Sequence, residues 1–234
     1  MPMRRWIPLF ILILLAFAFY YFELNKYFTL ETIRLYYHQL THFVDKHPIT
    51  SPLLFTFIYF IIISIGIHDG ALFSILAGIL FDQPISTLCI VIGGGMGAIS
   101  IFLVARGFLH DWLLKKTGSR LEKMKANMLA DAAHYLLFLR LTPFLPFSLT
   151  NLAAAMFNVP LWTFAWTTFV GTLPASFVFA QAGEGLRSIL ELQGEVTWAD
   201  VFNGQVTFAF FMLMGLACLP LCARFIWKSP SNEN

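Results

Sequence analysis

The sequence predicts an all-α polytopic membrane protein. It is an inverted repeat of two re-entrant helical hairpins plus about four transmembrane helices, with amphipathic helices at the interface. Three observations predict it: an apolar composition, uncharged stretches of bilayer length of which two are broken, and a charge distribution that makes sense only if the broken stretches are hairpins. Of 234 residues, 58% are hydrophobic and 12% charged, and the mean hydropathy is +0.73. A soluble domain carries about 25% charged residues, so there is too little polar surface here to cover a water-soluble globule. That excludes a soluble enzyme, a disordered chain and a free nucleic-acid-binding protein, and a net charge of +2 calls for no polyanionic partner.

The elements follow in order. Trp6–Phe22 is 17 uncharged residues behind Arg4 and Arg5, which predicts a transmembrane anchor over 1–24. Its aromatic end, Phe19-Tyr20-Tyr21-Phe22, suits an interfacial belt better than a signal-peptide cleavage site. In 25–51, His38, His42 and Asp45 fall on one stripe and Ile33, Tyr37, Leu40 and Val44 on another. This is an extracytoplasmic interfacial helix whose polar stripe reads as a solvated face rather than a metal site.

The first repeat unit covers 52–107. Its apolar run 52–81 is interrupted at Ile67-His68-Asp69-Gly70, giving two half-helices too short for a hydrocarbon layer of about 30 Å, and 84–105 is a full span. Within that span Gly93-x-x-x-Gly97 and Gly94-x-x-x-Ala98 read as close helix packing, not as a nucleotide loop. Residues 108–130 form a basic cytoplasmic segment that includes a capping box, Ser119-Arg120-Leu121-Glu122. The second unit, 131–183, repeats the scheme: a hairpin interrupted by Arg140 and Pro143-Phe144-Leu145-Pro146, then a span over about 160–183. An acidic outer loop, 184–200, and a last span with a cytoplasmic tail, 201–234, complete the chain.

Lysine and arginine decide between hairpins and plain crossings. With two hairpins, ten lie on the cytoplasmic side and four outside; with six plain spans, four lie inside and ten outside. Short cytoplasmic loops are enriched in Lys and Arg, so the hairpins are preferred, with both termini cytoplasmic. The compactness favours a bacterial inner membrane. Self-similarity agrees: an offset of 76 aligns Phe81-Asp82-Gln83-Pro84 with Phe157-Asn158-Val159-Pro160, and gives seven identities over positions 77–107.

Two opposed hairpin tips would shelter non-helical backbone from lipid and create a polar cavity. Arg140 is the candidate phosphate anchor there, because a guanidinium grips phosphate in a bidentate fork; the other reading is a structural tie to hairpin carbonyls or to Asp69. Asp69 has three readings: a cap for the half-helix beginning near Ala71, a partner for Arg140, or a proton acceptor beside His68. Pro143 and Pro146 remove amide donors, and Ser148, Thr150 and Asn151 then open the returning half-helix, where free amides attract anions or side chains cap the turn. No Ser-His-Asp arrangement, zinc motif or phosphate loop points to catalysis, a metal or a cofactor.

The same residues resemble a known family. Gly70-Ala71-Leu72 through Ala77-Gly78-Ile79-Leu80-Phe81 resembles the first hairpin of the DedA superfamily. Phe138-Leu139-Arg140-Leu141-Thr142-Pro143-Phe144-Leu145-Pro146-Phe147, with Asn151 after it, is similar to the F-x-R-x-x-P-x-x-P-F-x-x-x-N signature of its SNARE-associated Golgi protein, or VTT-domain, branch. The resemblance implies a lipid-transporter fold that flips or scrambles phospholipids or polyprenyl phosphates, with membrane lipids and protons as partners. The chain departs from the bacterial branch at Pro146, where a second arginine is usual, and at His68-Asp69, where a glutamate is usual. The resulting expectation is a flippase or scramblase for a phosphate-bearing lipid. Its rivals are a proton- or ion-coupled small-solute transporter and an assembly or trafficking factor working through the basic segment.

Overall fold

The computed structural model describes residues 30–66, 70–115, 131–141 and 147–191, with isolated positions at 14, 21, 204, 207, 208, 211 and 212. Among these residues there are seven helices and no strand: α1 (Leu30–Lys46), α2 (Thr50–Ser64), α3 (Gly70–Leu80), α4 (Ile85–Lys115), α5 (Ala132–Leu141), α6 (Phe147–Met156) and α7 (Leu161–Glu191). Apart from those isolated positions, the expected spans 6–22 and 201–223 lie outside the described residues, as do the segment 116–130 and His68, Asp69, Pro143 and Pro146.

Local chemistry sets the helix ends. Gly66 takes a left-handed φ of 81° just after α2, and its N–H donates to the Ile63 carbonyl. Asn158, at φ 59°, does the same after α6: its N–H donates to the Ala155 carbonyl and that of Val159 to Ala154, both at 3.1 Å. This pair of hydrogen bonds closes a helix with a residue that tolerates the left-handed region. The prolines at the matched hinges then start the long helices, Pro84 accepting from Leu88 and Pro160 from Phe164, both at 3.0 Å.

Both short pairs are antiparallel hairpins. In the first, the Phe55 ring near the start of α2 meets Phe81 just beyond α3 at 5.5 Å, while Tyr59, a turn further on, reaches Gly70 at the other end of α3. In the second, Ala132 and Leu136 of α5 share a buried cluster with Ala154, Ala155 and Phe157 at the end of α6. The long helices α4 and α7 are also antiparallel. Arg187 near the end of α7 bonds Asp82 before α4, and Arg106 of α4 reaches the Val159 carbonyl before α7 at 3.5 Å. Between these contacts Phe102 and Phe164 stack at 4.2 Å.

The packing crosses between the two units. The leading half-hairpins α2 and α5 lie on their own long helices, α4 and α7, whereas the returning α3 and α6 lie on the long helix of the other unit. The strongest contacts are unchanged when α2-α3-α4 is exchanged with α5-α6-α7. Ile85–Gly107 and Leu161–Ser188 are long and apolar enough to cross a bilayer. The four hairpin helices have 10 to 15 residues, at most about 22 Å of helix. Leu88, Ile92, Met96 and Leu103 form an exposed apolar stripe on α4, as a lipid-facing surface requires.

Two boundaries differ from the expected ones. α4 runs on to Lys115 and α7 to Glu191, beyond 107 and 183. A helix satisfies its own backbone and needs no apolar sequence to continue, and no proline stands at either place to stop it. The first eight residues of the expected outer loop 184–200 are therefore helical. The expected amphipathic helix is present as α1. Tyr37 is buried against Ile79 of α3 beside Leu186 and Leu190 of α7, with His38, His42 and Asp45 exposed.

The packing role expected for the glycines of α4 is borne out at atomic range. A Cβ on Gly93 would lie 2.8 Å from the Thr56 carbonyl oxygen, and one on Gly97 would lie 2.7 Å from the Ile63 Cβ. Gly97→Ala is expected to destabilise the protein by about 1–3 kcal/mol through overpacking, measured as a lower thermal midpoint in detergent.

Candidate functional site

The second hairpin builds a buried cation from its own sequence. Arg140 stands in the last turn of α5 and is only 8% exposed. Its Nη1 donates to Thr150 Oγ1 at 3.2 Å, and its Nη2 donates to Asn151 Oδ1 at 2.7 Å and Thr168 Oγ1 at 2.9 Å. The hydroxyl directions are settled by their other bonds: Thr150 donates to the Phe147 carbonyl at 2.8 Å and Thr168 to the Phe164 carbonyl at 2.6 Å. Each hydroxyl has one proton, so both oxygens face Arg140 as acceptors. The rings of Phe147 and Phe164 lie 4.5 and 5.3 Å from the guanidinium carbon, within cation–π range. Gly171 makes room for the arginine stem, since a Cβ there would come within 2.8 Å of Arg140 Cβ.

Two donors in this cluster, Arg140 Nε and Asn151 Nδ2, are buried without a partner among the described residues. Buried polar groups in folded proteins are nearly always bonded. Both atoms are donors, so the group that completes them is an acceptor.

Among the described residues, the corresponding place in the first hairpin holds hydroxyls rather than a charge. Tyr59 Oη donates to the Gly70 carbonyl at 3.2 Å and lies 3.2 Å from Ser74 Oγ. Between this hydroxyl pair and the start of α6 is a cavity of about 310 Å³. Gly66 and Gly70 border it from the first hairpin tip, Phe147 and Ser148 from the second, and Thr172 and Ser176 from α7. Phe147 joins the two regions, with one face on the Arg140 guanidinium and its ring also lining the cavity.

The structure thus brings Arg140, Thr150 and Asn151 together and places Ser148 on the adjoining cavity wall. Sequence reasoning missed Thr168, Phe164, Gly171, Tyr59, Ser74, Thr172 and Ser176. A signal for some of them existed: Thr168, Thr172 and Ser176 recur at i, i+4 and i+8 within an uncharged stretch, a polar stripe along one face of a membrane helix.

The family model of the VTT domain matches residues 68–185. Curated relatives include the Transmembrane protein 41 homolog of Caenorhabditis elegans, 29% identical over 179 residues, which are 75% of this chain and 69% of that protein. Transmembrane protein 41B of Mus musculus is 29% identical over 177 residues, 73% of this chain and 56% of its own length. That of Gallus gallus is 33% identical over 138 residues, 57% and 51% respectively. The chain therefore spans little more than half the length of these vertebrate relatives. No solved structure matches the chain.

Proposed function

The chain belongs to the VTT-domain family of membrane proteins, and from that premise we propose that it moves a phosphate-bearing lipid, a phospholipid or polyprenyl phosphate, across the bilayer as a flippase or scramblase. In this reading the two helical hairpins are re-entrant and the units are inverted repeats. The crossed packing of α3 and α6 and the antiparallel α4 and α7 support it, because exchange of the units preserves both. The observation that carries the proposal is the cavity between the hairpin tips with a buried guanidinium behind one wall. It offers hydroxyls to a headgroup, while the exposed apolar stripe on α4 leaves room for acyl tails in lipid.

The headgroup enters between Gly66–Gly70 and Ser148. Arg140 and Asn151 supply donors to the phosphate once the Phe147 ring turns aside, and hydroxyls of Ser74, Thr172 and Ser176 replace part of its hydration. Asp69 and His68 balance the arginine and exchange a proton, while Pro143 and Pro146, lacking amide donors, interrupt the second hairpin. The membrane is a bacterial inner membrane and both termini are cytoplasmic. No covalent chemistry is involved; catalysis here is the lowering of a desolvation barrier for the headgroup.

Thr172 lines the cavity and is half-buried, so Thr172→Leu fills the passage without crowding the Arg140 cluster. We expect fluorescent phospholipid to cross reconstituted vesicles at least about tenfold more slowly, equivalent to about 1.4 kcal/mol of barrier, with an unchanged thermal midpoint. An unchanged rate would remove the cavity from the pathway. Repeating the assay with and without a pH gradient separates a proton-driven flippase from a scramblase, and saturable uptake of a water-soluble substrate in place of lipid would favour a solute transporter.

A further inference from the structure

A second cavity, also of about 310 Å³, lies away from the hairpin tips, between α1 and the ends of α3 and α7. Tyr37, His38, Thr41 and Asp45 of α1 line one side, and Leu80 and Arg187 the other. Its level is fixed by the long helices: Arg187 falls in the last residues of the apolar stretch Leu161–Ser188, and its partner Asp82 just precedes Ile85–Gly107. On the reading that these helices cross the bilayer, the cavity sits at the headgroup layer. An amphipathic helix such as α1 settles there with its apolar face a few ångströms into the acyl boundary.

The lining carries both signs of charge. Arg187 is 23% exposed and tied to Asp82, which is 75% exposed; Asp45 stands on the opposite wall. An anionic headgroup alone would gain Arg187 but face Asp45, and a bare cation would gain Asp45 but face Arg187. A dipolar group satisfies both walls, and complementarity of this kind selects among ligands of equal size.

We propose that this cavity binds a phosphate ester bearing a cationic amine, the headgroup of a zwitterionic phospholipid, as a docking station apart from the passage between the hairpins. The phosphate takes the Arg187 guanidinium in place of Asp82, whose exposed carboxylate turns to water at little cost, as guanidinium–phosphate pairs are strong and directional. The amine faces Asp45. Leu80 and the Tyr37 ring give the glycerol and upper acyl carbons an apolar floor. The inference rests on the two long helices spanning the membrane, not on translocation.

The test uses the full chain in maltoside micelles, stripped of lipid and offered equal amounts of phosphatidylcholine and phosphatidylglycerol, with retained lipid counted by native mass spectrometry. The wild type is expected to retain the zwitterionic lipid about tenfold over the anionic one, about 1.4 kcal/mol of selectivity. Asp45→Asn should abolish that preference, and Arg187→Gln should lower retention of both lipids. Asp82→Asn, at an exposed position, should raise retention by removing the competing carboxylate, which keeps the proposal testable should Arg187→Gln fold poorly. Competition by soluble phosphocholine at equal concentration would assign the site to a free phosphoester and overturn the lipid docking station, whereas indifference to it supports the intact lipid. Equal retention of the two lipids by the wild type, or an unaltered preference in Asp45→Asn, would likewise overturn the proposal. A protein that retains zwitterionic lipid selectively yet moves none across vesicles refutes the proposed function alone, whereas translocation without selective retention refutes this inference alone.

Discussion

Arg140→Ala is expected to abolish lipid translocation in reconstituted vesicles and to lower stability by about 3 kcal/mol. The stability loss follows from what the guanidinium leaves behind. Thr150, Asn151 and Thr168 each accept from it in a buried site, and an unsatisfied buried acceptor costs about 1–3 kcal/mol. Within a membrane the unfolded chain also finds partners, which keeps the sum below a simple total. Because one variant alters fold and function together, the decisive comparison replaces the arginine and two of its three acceptors by apolar residues, Arg140→Met with Asn151→Leu and Thr168→Val, and leaves Thr150, whose hydroxyl keeps its bond to the Phe147 carbonyl. Exchanging a buried charged network for packed hydrophobic side chains is often neutral or stabilising. If Arg140 receives the phosphate, this triple variant regains the wild-type thermal midpoint but moves no lipid. If the arginine only fastens α5 to α6 and α7, both stability and transport return, and the phosphate role is withdrawn.

Arg140 also shows how much of the site was legible. A lone arginine between apolar residues and two prolines marks itself, because a charge at that depth must find protein or water; Thr150 and Asn151, a helix turn beyond the break, were within its reach on any hairpin. Thr168 was not, because its partnership depends on α5 lying along α7, and contacts between distant segments leave no local pattern. The same holds for Tyr59 and Ser74, hydroxyls in runs that read simply as membrane core. The fold was more accessible than the site. The breaks at Ile67–Gly70 and Pro143–Pro146 separated four short helices from two long ones, and the matched Phe-x-x-Pro hinges located both long-helix starts. The crossing of the hairpins, each returning half on the other unit's long helix, was invisible, since apolar surfaces of similar composition carry no address.

The repeat alignment shows the same limit. It pairs Gly95 with Gly171 and Gly107 with Gly183, but the members of each pair meet different neighbours. A Cβ on Gly95 would strike the Phe169 ring at 2.5 Å, whereas one on Gly171 would strike Arg140; Gly107 meets nothing within 4 Å among the described residues, whereas Gly183 lies against backbone. The obstacles come from different elements, α7 at Gly95, α5 at Gly171 and α3 at Gly183, so aligned glycines do not imply matched contacts.

The largest effect on folding is expected at the α3–α7 contact, where Gly78 and Gly183 face each other. A Cβ on Gly78 would lie 1.9 Å from the Ala180 carbonyl oxygen, and one on Gly183 would lie 2.1 Å from the Ile75 carbonyl oxygen and 2.8 Å from Gly78 Cα. These obstacles are backbone atoms inside helices, which no rotamer change can move aside. Small residues let membrane helices approach closely, so that dispersion contacts accumulate where no hydrophobic force between helices exists. Gly78→Ala or Gly183→Ala must therefore push α3 away from α7, opening the cluster that joins Ala77, Phe73 and Ala180. Each is expected to cost about 3 kcal/mol or more, beyond the usual range for overpacking because both sides are rigid. Gly107→Ala, in the same kind of helix but with open space at the Cβ, is expected to leave the thermal midpoint unchanged or raise it slightly through helix propensity. Because α3 forms one wall of the cavity between the hairpin tips, a milder consequence should precede unfolding: at temperatures where Gly78→Ala is still folded, translocation should already have fallen. A Gly78→Ala protein as stable and as active as the wild type would mean that α3 does not lie on α7 at this distance, and the crossed packing of the hairpins would fall with it.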